Sequence, residues 1–404
     1  MIPKADLIVI GGGAAGFFGA IRYAELNPNA RVYILEKGTR VLEKVKISGG
    51  GRCNVTHGCF DPKELVKHYP RGMREMLGPF NRFACGDMME WLSNRGVETK
   101  IEDDGRVFPI TDNSETIIKC FQKEADMLGV KVMTGEGVTD MKHDGQWEIT
   151  TQNSIFHADY VLYTTGSSPL SWKLLESLGI SLIAPVPSLF TFNIKHSLLR
   201  DLPGISVPHA EVSIPSLGIQ SFGPLLITHW GLSGPAVLRL SAWGARKLAD
   251  CKYDADVIVN WVAETLDEVV EYLREQRTTE AKKKVVTAPY PGITRRLWER
   301  MTLLAGLDQK NWADLRNAEI DMLADILCKS VFRMRGKSTF KEEFVTAGGV
   351  QLDTVSFKTM ESKNVKNLWF AGEVLDIDAI TGGFNFQAAW TTSWIAAESI
   401  PPVH

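Results

Sequence analysis

The 404-residue chain is 44% hydrophobic and 23% charged, with a formal net charge of −3 at pH 7. A chain of that length buries about three quarters of its unfolded surface, so two or three domains are expected without disulfide or metal staples. The near-neutral balance supplies no basic excess for nucleic acid or an anionic membrane, and neither is expected as a partner.

Met1 leads almost directly into ADLIVIGGG, which leaves no room for a signal peptide and points to the cytoplasm. No apolar run approaches the roughly 20 residues of a membrane helix. Cys53, Cys59, Cys85, Cys120, Cys251 and Cys328 are scattered as reduced thiols would be, and no CxxC pair or HExxH helix marks a metal site.

In chain order, Asp6 to Ile10 reads as a strand, Ala14 to Leu26 as a helix and Arg31 to Glu36 as a second strand, a βαβ unit. Helices follow near Met88 to Arg95 and Glu115 to Leu128, the second with Asp112 and Ser114 as caps, then a strand at Val130 to Met133. From Gly137 to Thr165 the text alternates and breaks at Asp-Gly and Gln-Asn, as an antiparallel meander does, and it ends in YVLYTTG. IAPVPSLFTF carries two prolines two apart and reads as a crossing between domains. About 188 to 262 is strand-rich, about 265 to 332 helical and charged, a solvated cover. After Phe340 strands and tight turns return, and a helix from Phe384 to Glu398 closes the chain.

Gly11, Gly13 and Gly16 form a GxGxxG between strand and helix, and Glu36 ends the next strand. The first glycine permits the turn, the second brings backbone amides to a pyrophosphate, and the third lets helix pack on strand. Ala14 and Ala15 open that helix. Glu36 suits the ribose of a cofactor without a 2′-phosphate, and Lys37 and Arg52 are the cations placed to meet phosphate. FAD and NAD both fit this opening, but the later text favours FAD. In the two-dinucleotide FAD fold a late strand ends in glycine plus an acid for the ribityl chain, and the last helix aims its N-terminus at the flavin. Gly372, Glu373, Gly382 and Gly383 have those residue types.

KISGGGRCNVTHGCF, Lys46 to Phe60, has two readings. A redox disulfide would use Cys53 and Cys59. They are six apart, about 240° around a helix, and the GEG at Gly135 to Gly137 is not the second nicotinamide fingerprint that such an enzyme needs. Alternatively Gly49, Gly50 and Gly51 carry backbone close to a cofactor, Arg52 meets phosphate, Asn54 offers an amide and Cys53 is a packed neighbour.

KISGGGRCNVT, GRVFP at Gly105 to Pro109, THWGLSGPAVLRLS, TMESK and FAGEVLDIDAITGGFNFQAAW together resemble the BaiN-like, aminoacetone-oxidase family of FAD-dependent oxidoreductases. The resemblance implies an α/β chain: a Rossmann-like FAD-binding domain of the two-dinucleotide type in 1–187 and 337–404, interrupted by a β-rich part, 188–264, and a helical part, 265–336, that cover the flavin. It also implies cofactor contacts at Val138, Thr165 and Gly166. Asn385, Phe386 and Gln387, at the start of the last helix, are read as flavin contacts or caps. The chain departs from the family after Gly166, where TTGSSPLSWKLLESLGI replaces a longer glycine-rich segment.

The activity expected is hydride transfer between a small organic substrate and flavin N5. Amine oxidation with O2 stands first, NAD(P)H-driven reduction of an enone second, and a thiol–disulfide exchange or a non-catalytic flavin module behind them. His229, in the THWG turn, is the substrate-side acid–base candidate. Trp230, Trp261, Trp390 and Trp394 are expected in the core, and His57, His143, His157 and His209 show no ligand spacing.

Overall fold

A computed structural model describes residues 4–338 and 345–402 of the chain. It separates into two compact units, residues 1–186 with 341–404, and residues 187–340.

The first unit is built on a parallel sheet. Lys4–Ile10 lies between Val32–Glu36 and Ile155–Tyr163, with Lys131–Thr134 outside the second strand and Leu368–Phe370 outside the last. Six of the seven residues of the first strand are buried, as expected of a β-branched run covered on both faces. The meander is present as Val138–Asp144, Gln146–Thr151 and Ile155–Tyr163, paired antiparallel. Helix Ala14–Leu26 lies against the last helix, Phe384–Ser399, and the Ser393 hydroxyl donates to the Ala15 carbonyl at 2.8 Å. Phe18, Trp91, Phe121 and Trp390 pack ring against ring beneath them.

One local expectation is corrected. Helix Glu115–Met127 starts where expected, but neither Asp112 nor Ser114 caps it with a side chain. Asn113 Oδ1 instead accepts from the Glu115 amide at 3.0 Å, the Ser114 hydroxyl donates to the Lys46 carbonyl, and Asp112 is claimed by Arg52 and Lys100. The shortened segment after Gly166 forms a helix, Pro169–Ser177, started by proline at its first position.

The second unit is a closed six-stranded barrel in the order Thr191–Ile194, Gly231–Ser233, Ile219–Ile227, Ser206–Ile214, Asp254–Asn260, Ser330–Ser338. Closure removes the exposed strand edges. Its strand-rich and helical parts share one hydrophobic core, in which Val212, Val257 and Trp261 pack with Leu273, Trp298 and Leu323. Trp261 and Trp390 are buried as expected, whereas Trp230 is 56% exposed in a turn and Trp394 is half-buried.

Among the described residues no helix is long and apolar enough to cross a membrane, and no three His, Cys, Asp or Glu side chains gather as a metal site.

Candidate functional site

The glycines of the first turn divide into two kinds. A Cβ on Gly16 would stand 2.0 Å from the Gly11 carbonyl oxygen, and one on Gly11 would stand 2.7 Å from the Thr164 carbonyl oxygen, so both are dictated by protein packing. A Cβ on Gly13 would meet nothing within 4 Å. Gly13 is the N-cap of Ala14–Leu26, a helix with no acid in its first turn, so amides and the positive end of the helix dipole face open space there. An anion such as a pyrophosphate fits such a helix end.

Glu36 stands beside this turn. Its Oε2 accepts from the Gly12 amide at 2.9 Å and its Oε1 from the Gly38 amide at 2.7 Å. Each oxygen keeps a second lone pair, so the carboxylate is oriented by backbone while still able to accept from ribose hydroxyls. Lys37 turns to Ser168 Oγ at 3.3 Å, and the neighbouring Glu136 amide donates to the Glu36 carbonyl, which brings Val138 to the same end of the sheet. The Thr165 hydroxyl bonds Ser171, and Gly166 has its Cα within reach of Glu373, to which a Cβ would stand 3.5 Å.

The SGGG loop ends a helix that starts at Glu43. Ser48 leaves helical geometry, and Gly49, Gly50 and Gly51 take φ of 56°, 69° and 85°. This left-handed run is open to glycine and strained for other residues. A Cβ on Gly50 or Gly51 would again meet nothing within 4 Å, so their backbone borders open space. Cys53 follows with φ 61° and is fully buried, and burial pushes its thiol up to about 12. It is a protonated, packed thiol at neutral pH and no nucleophile. Cys53 and Cys59 are both free thiols.

Arg52, expected to meet phosphate, is held by protein carboxylates. Its guanidinium engages Glu102 and Asp112 and lies 3.9 Å over the Phe108 ring, pinning the loop to the hairpin Thr99–Ile101 and Arg106–Pro109. Two carboxylates occupy its Nε and Nη2 donors. Asn54 likewise serves protein. Its amide donates to the Thr56 carbonyl at 3.0 Å and accepts from the Gly383 amide at 2.9 Å.

That contact ties the loop to the N-terminus of the last helix. Gly383 has φ 90°, and a Cβ there would stand 2.3 Å from the Thr56 carbonyl oxygen. Gly382 packs on the Phe384 ring, and the rings of His57 and His68 stack on Phe384 at 4.4 and 4.1 Å. Burial draws the His57 ring below the usual histidine range. The helix has no acid in its first turn. Two expected flavin contacts are occupied otherwise: Asn385 bonds both polar atoms of Ala379, and fully buried Gln387 accepts from Thr56 and donates to Thr391. Phe386 stacks on Trp390, half-buried.

Gly372 is needed because a Cβ would stand 2.8 Å from that of Ala15. Glu373 Oε2 accepts from Lys44 Nζ at 2.5 Å and its Oε1 from the Thr346 amide at 3.1 Å. Lys44 was not singled out in the sequence, since nothing in LEKVK distinguishes one lysine from its neighbour. The pair Arg71 and Asp378 was missed as well, although an aspartate within an apolar run, LDIDAI, is itself a signal of a buried partner. His229 stands exposed in the turn whose Thr228 hydroxyl accepts the Trp230 and Gly231 amides.

Open space at Gly13, Gly50 and Gly51, an oriented acid at Glu36 and two acid-free helix N-termini fit an extended dinucleotide carrying a flavin. A family model described as HI0933-like protein Rossmann domain matches residues 5–399. A ribosomal RNA dihydrouridine synthase of Haemophilus influenzae is 28% identical over 99% of each chain. A 3-dehydro-bile acid delta(4,6)-reductase of Clostridium scindens is 26% identical over 97% of this chain and 98% of its own. The open conformation of a flavocytochrome c3 fumarate reductase superposes with a TM-score of 0.52 at 13% identity, covering 98% of this chain and 78% of that one, which establishes the fold.

Proposed function

We propose that this chain, which belongs to the HI0933-like Rossmann-domain family and is an FAD-dependent oxidoreductase, reduces a carbon–carbon double bond conjugated to a carbonyl. The observation that carries this reading is that two relatives matching nearly end to end are named for the same bond change. Dihydrouridine is uridine hydrogenated at the ring double bond beside a carbonyl, and a Δ4 bond lies beside the 3-keto group of a bile acid. The pyrimidine of an RNA is preferred as substrate and a steroid-like enone is the second reading.

FAD held in the site would supply the hydride, replenished by NAD(P)H, and a proton from water would complete addition across the double bond. The chain's own residues hold and polarise the cofactor. Amides at Gly13, Gly50 and Gly51 and the N-terminus of Ala14–Leu26 take the phosphates, and Glu36 takes the adenosine ribose. Glu373, fixed by Lys44 and Thr346, meets the ribityl hydroxyls. The acid-free N-terminus of Phe384–Ser399, held at Gly383 by Asn54, favours negative charge on the flavin edge nearest it.

The experiment follows flavin bleaching without oxygen. NADPH or NADH is expected to bleach the bound flavin, and a uridine-containing RNA or a 4-en-3-one steroid to restore it while losing its conjugated ultraviolet band. Bleaching by a primary amine, reversed by air, with no response to either nicotinamide would restore the amine-oxidase expectation and sink this one.

A further inference from the structure

We propose that the second unit carries an RNA-docking face formed by Phe222, Arg239, Trp243 and Lys247. The inference rests on the pyrimidine reading above and adds where the chain grips the polynucleotide. The net charge of −3 is unevenly divided: residues 187–340 hold 20 Lys and Arg against 17 Asp and Glu, so the inserted unit is basic while the rest is acidic. Near-neutrality of the whole chain therefore does not describe this surface.

Helix Pro235–Trp243 and helix Ala245–Asp250 run along strand Ile219–Ile227. Gly244 is so close to the strand that a Cβ there would stand 2.5 Å from Ile219 Cδ1. Arg239, Trp243 and Lys247 follow one another at intervals of four residues, which places them on one face of the helical run, and all three are exposed. Arg239 donates to the Phe222 carbonyl at 3.4 Å and Lys247 to the Leu217 carbonyl at 2.8 Å, so Arg239 reaches over the strand and Lys247 over the turn Pro215–Leu217 that precedes it. Neither has a carboxylate partner among the described residues. Phe222 is 49% and Trp243 45% exposed, large rings held on rigid elements with no apolar cover. The carboxylates accompanying the patch are Glu211, opposite Phe222 on the next strand, and Asp250, three residues beyond Lys247.

Two cations beside two exposed aromatic rings is the composition that binds single-stranded nucleic acid. Bases stack on the rings and the phosphates lie on the cations. A purely apolar partner would leave Arg239 and Lys247 unmatched, whereas each nucleotide of an RNA brings both a phosphate for the cations and a base for the rings.

The test measures binding of a fluorescein-labelled, uridine-containing, single-stranded RNA of about 20 nucleotides to FAD-loaded protein by anisotropy across a salt series. Trp243→Ala is expected to weaken binding five- to a hundredfold, as loss of a base stack does. Arg239→Glu with Lys247→Glu is expected to weaken it tenfold or more and to flatten the salt slope by about 1.4, from two lost phosphate contacts. Arg295→Glu with Lys282→Glu changes the charge equally elsewhere in the unit and is expected to have much less effect. The visible flavin spectrum should be the same in every variant. No binding by the wild type, equal loss in the control pair, or a dimer in light scattering that Trp243→Ala dissociates while RNA binding persists would each overturn the proposal. Dihydrouridine formation, measured separately in the same RNA with NADPH, separates the two claims. Undiminished formation in the face variants defeats the docking face alone. RNA held at this face but never reduced defeats the pyrimidine reading alone.

Discussion

Asp378 is completely closed off from solvent and lies against the Arg71 guanidinium in a two-pronged contact, Nε to Oδ1 and Nη2 to Oδ2. The pair joins the segment around His68 to the loop that delivers Gly382 and Gly383 to the last helix, and the Ile380 amide donates to the His68 carbonyl beside it. Truncating one member strands the other in a dry site, so Arg71→Met is expected to cost about 3–5 kcal/mol of stability. Urea unfolding followed by far-ultraviolet circular dichroism measures it. A loss below about 1 kcal/mol would show that the charge finds water in the folded protein.

Gly13 and Gly16 are three residues apart and should fail in opposite ways. Gly16→Ala puts a methyl 2.0 Å from a carbonyl oxygen, so destabilisation of about 1–3 kcal/mol or more is expected, from overpacking. Gly13→Ala puts it in open space, so the unfolding midpoint should hardly move while FAD affinity falls tenfold or more. Calorimetry of the apoprotein and a flavin-fluorescence titration read the two quantities separately. Unchanged FAD affinity in Gly13→Ala would remove the pyrophosphate from that turn.

Cys53 should be chemically silent. With its thiol raised to about 12 by burial, iodoacetamide at pH 8 is expected to leave it unmodified in the folded protein and to label it in urea. Cys53→Ala should keep turnover within about twofold and give no long-wavelength charge-transfer band on partial reduction. Loss of turnover together with such a band in the wild type would revive the thiol mechanism.

Acid should act in part through His57. Its ring, half-buried on Phe384, binds a proton less readily in the folded chain than in the unfolded one, because desolvation outweighs the pull of Asp104. The unfolded state then holds more protons below the ordinary histidine value of about 6.5, so stability is lost as pH falls through that value and retained above it. The charged groups around the ring, Asp104 with its partner Arg106 and His68, are unaltered in His57→Asn. The drop in urea midpoint between pH 7.5 and 5.5 is therefore expected to be smaller in that variant. An equal drop in both proteins would assign the acid sensitivity to the carboxylates.

Periodicity and glycine placement made much of the first unit legible. The first strand and helix, the meander and the last helix lie within a few residues of where alternation and turn chemistry put them, because each follows from local sequence. The backbone geometry at Gly11, Gly13, Gly16 and Gly49 to Gly51 was legible for the same reason, since allowed conformations and clearances belong to the residue itself.

What the sequence determined alone was where backbone can approach a ligand and which helix ends carry uncompensated positive charge. The tertiary structure decided the partners of the polar side chains. Arg52 went to Glu102 and Asp112, Gln387 to Thr56, and Asn54 to Gly383, contacts 50 to 331 residues apart in the chain. A guanidinium or an amide offers the same donors to phosphate, flavin or protein, and its choice depends on which acceptor the fold brings within about 3 Å. That distance is set by long-range packing, which no local pattern contains.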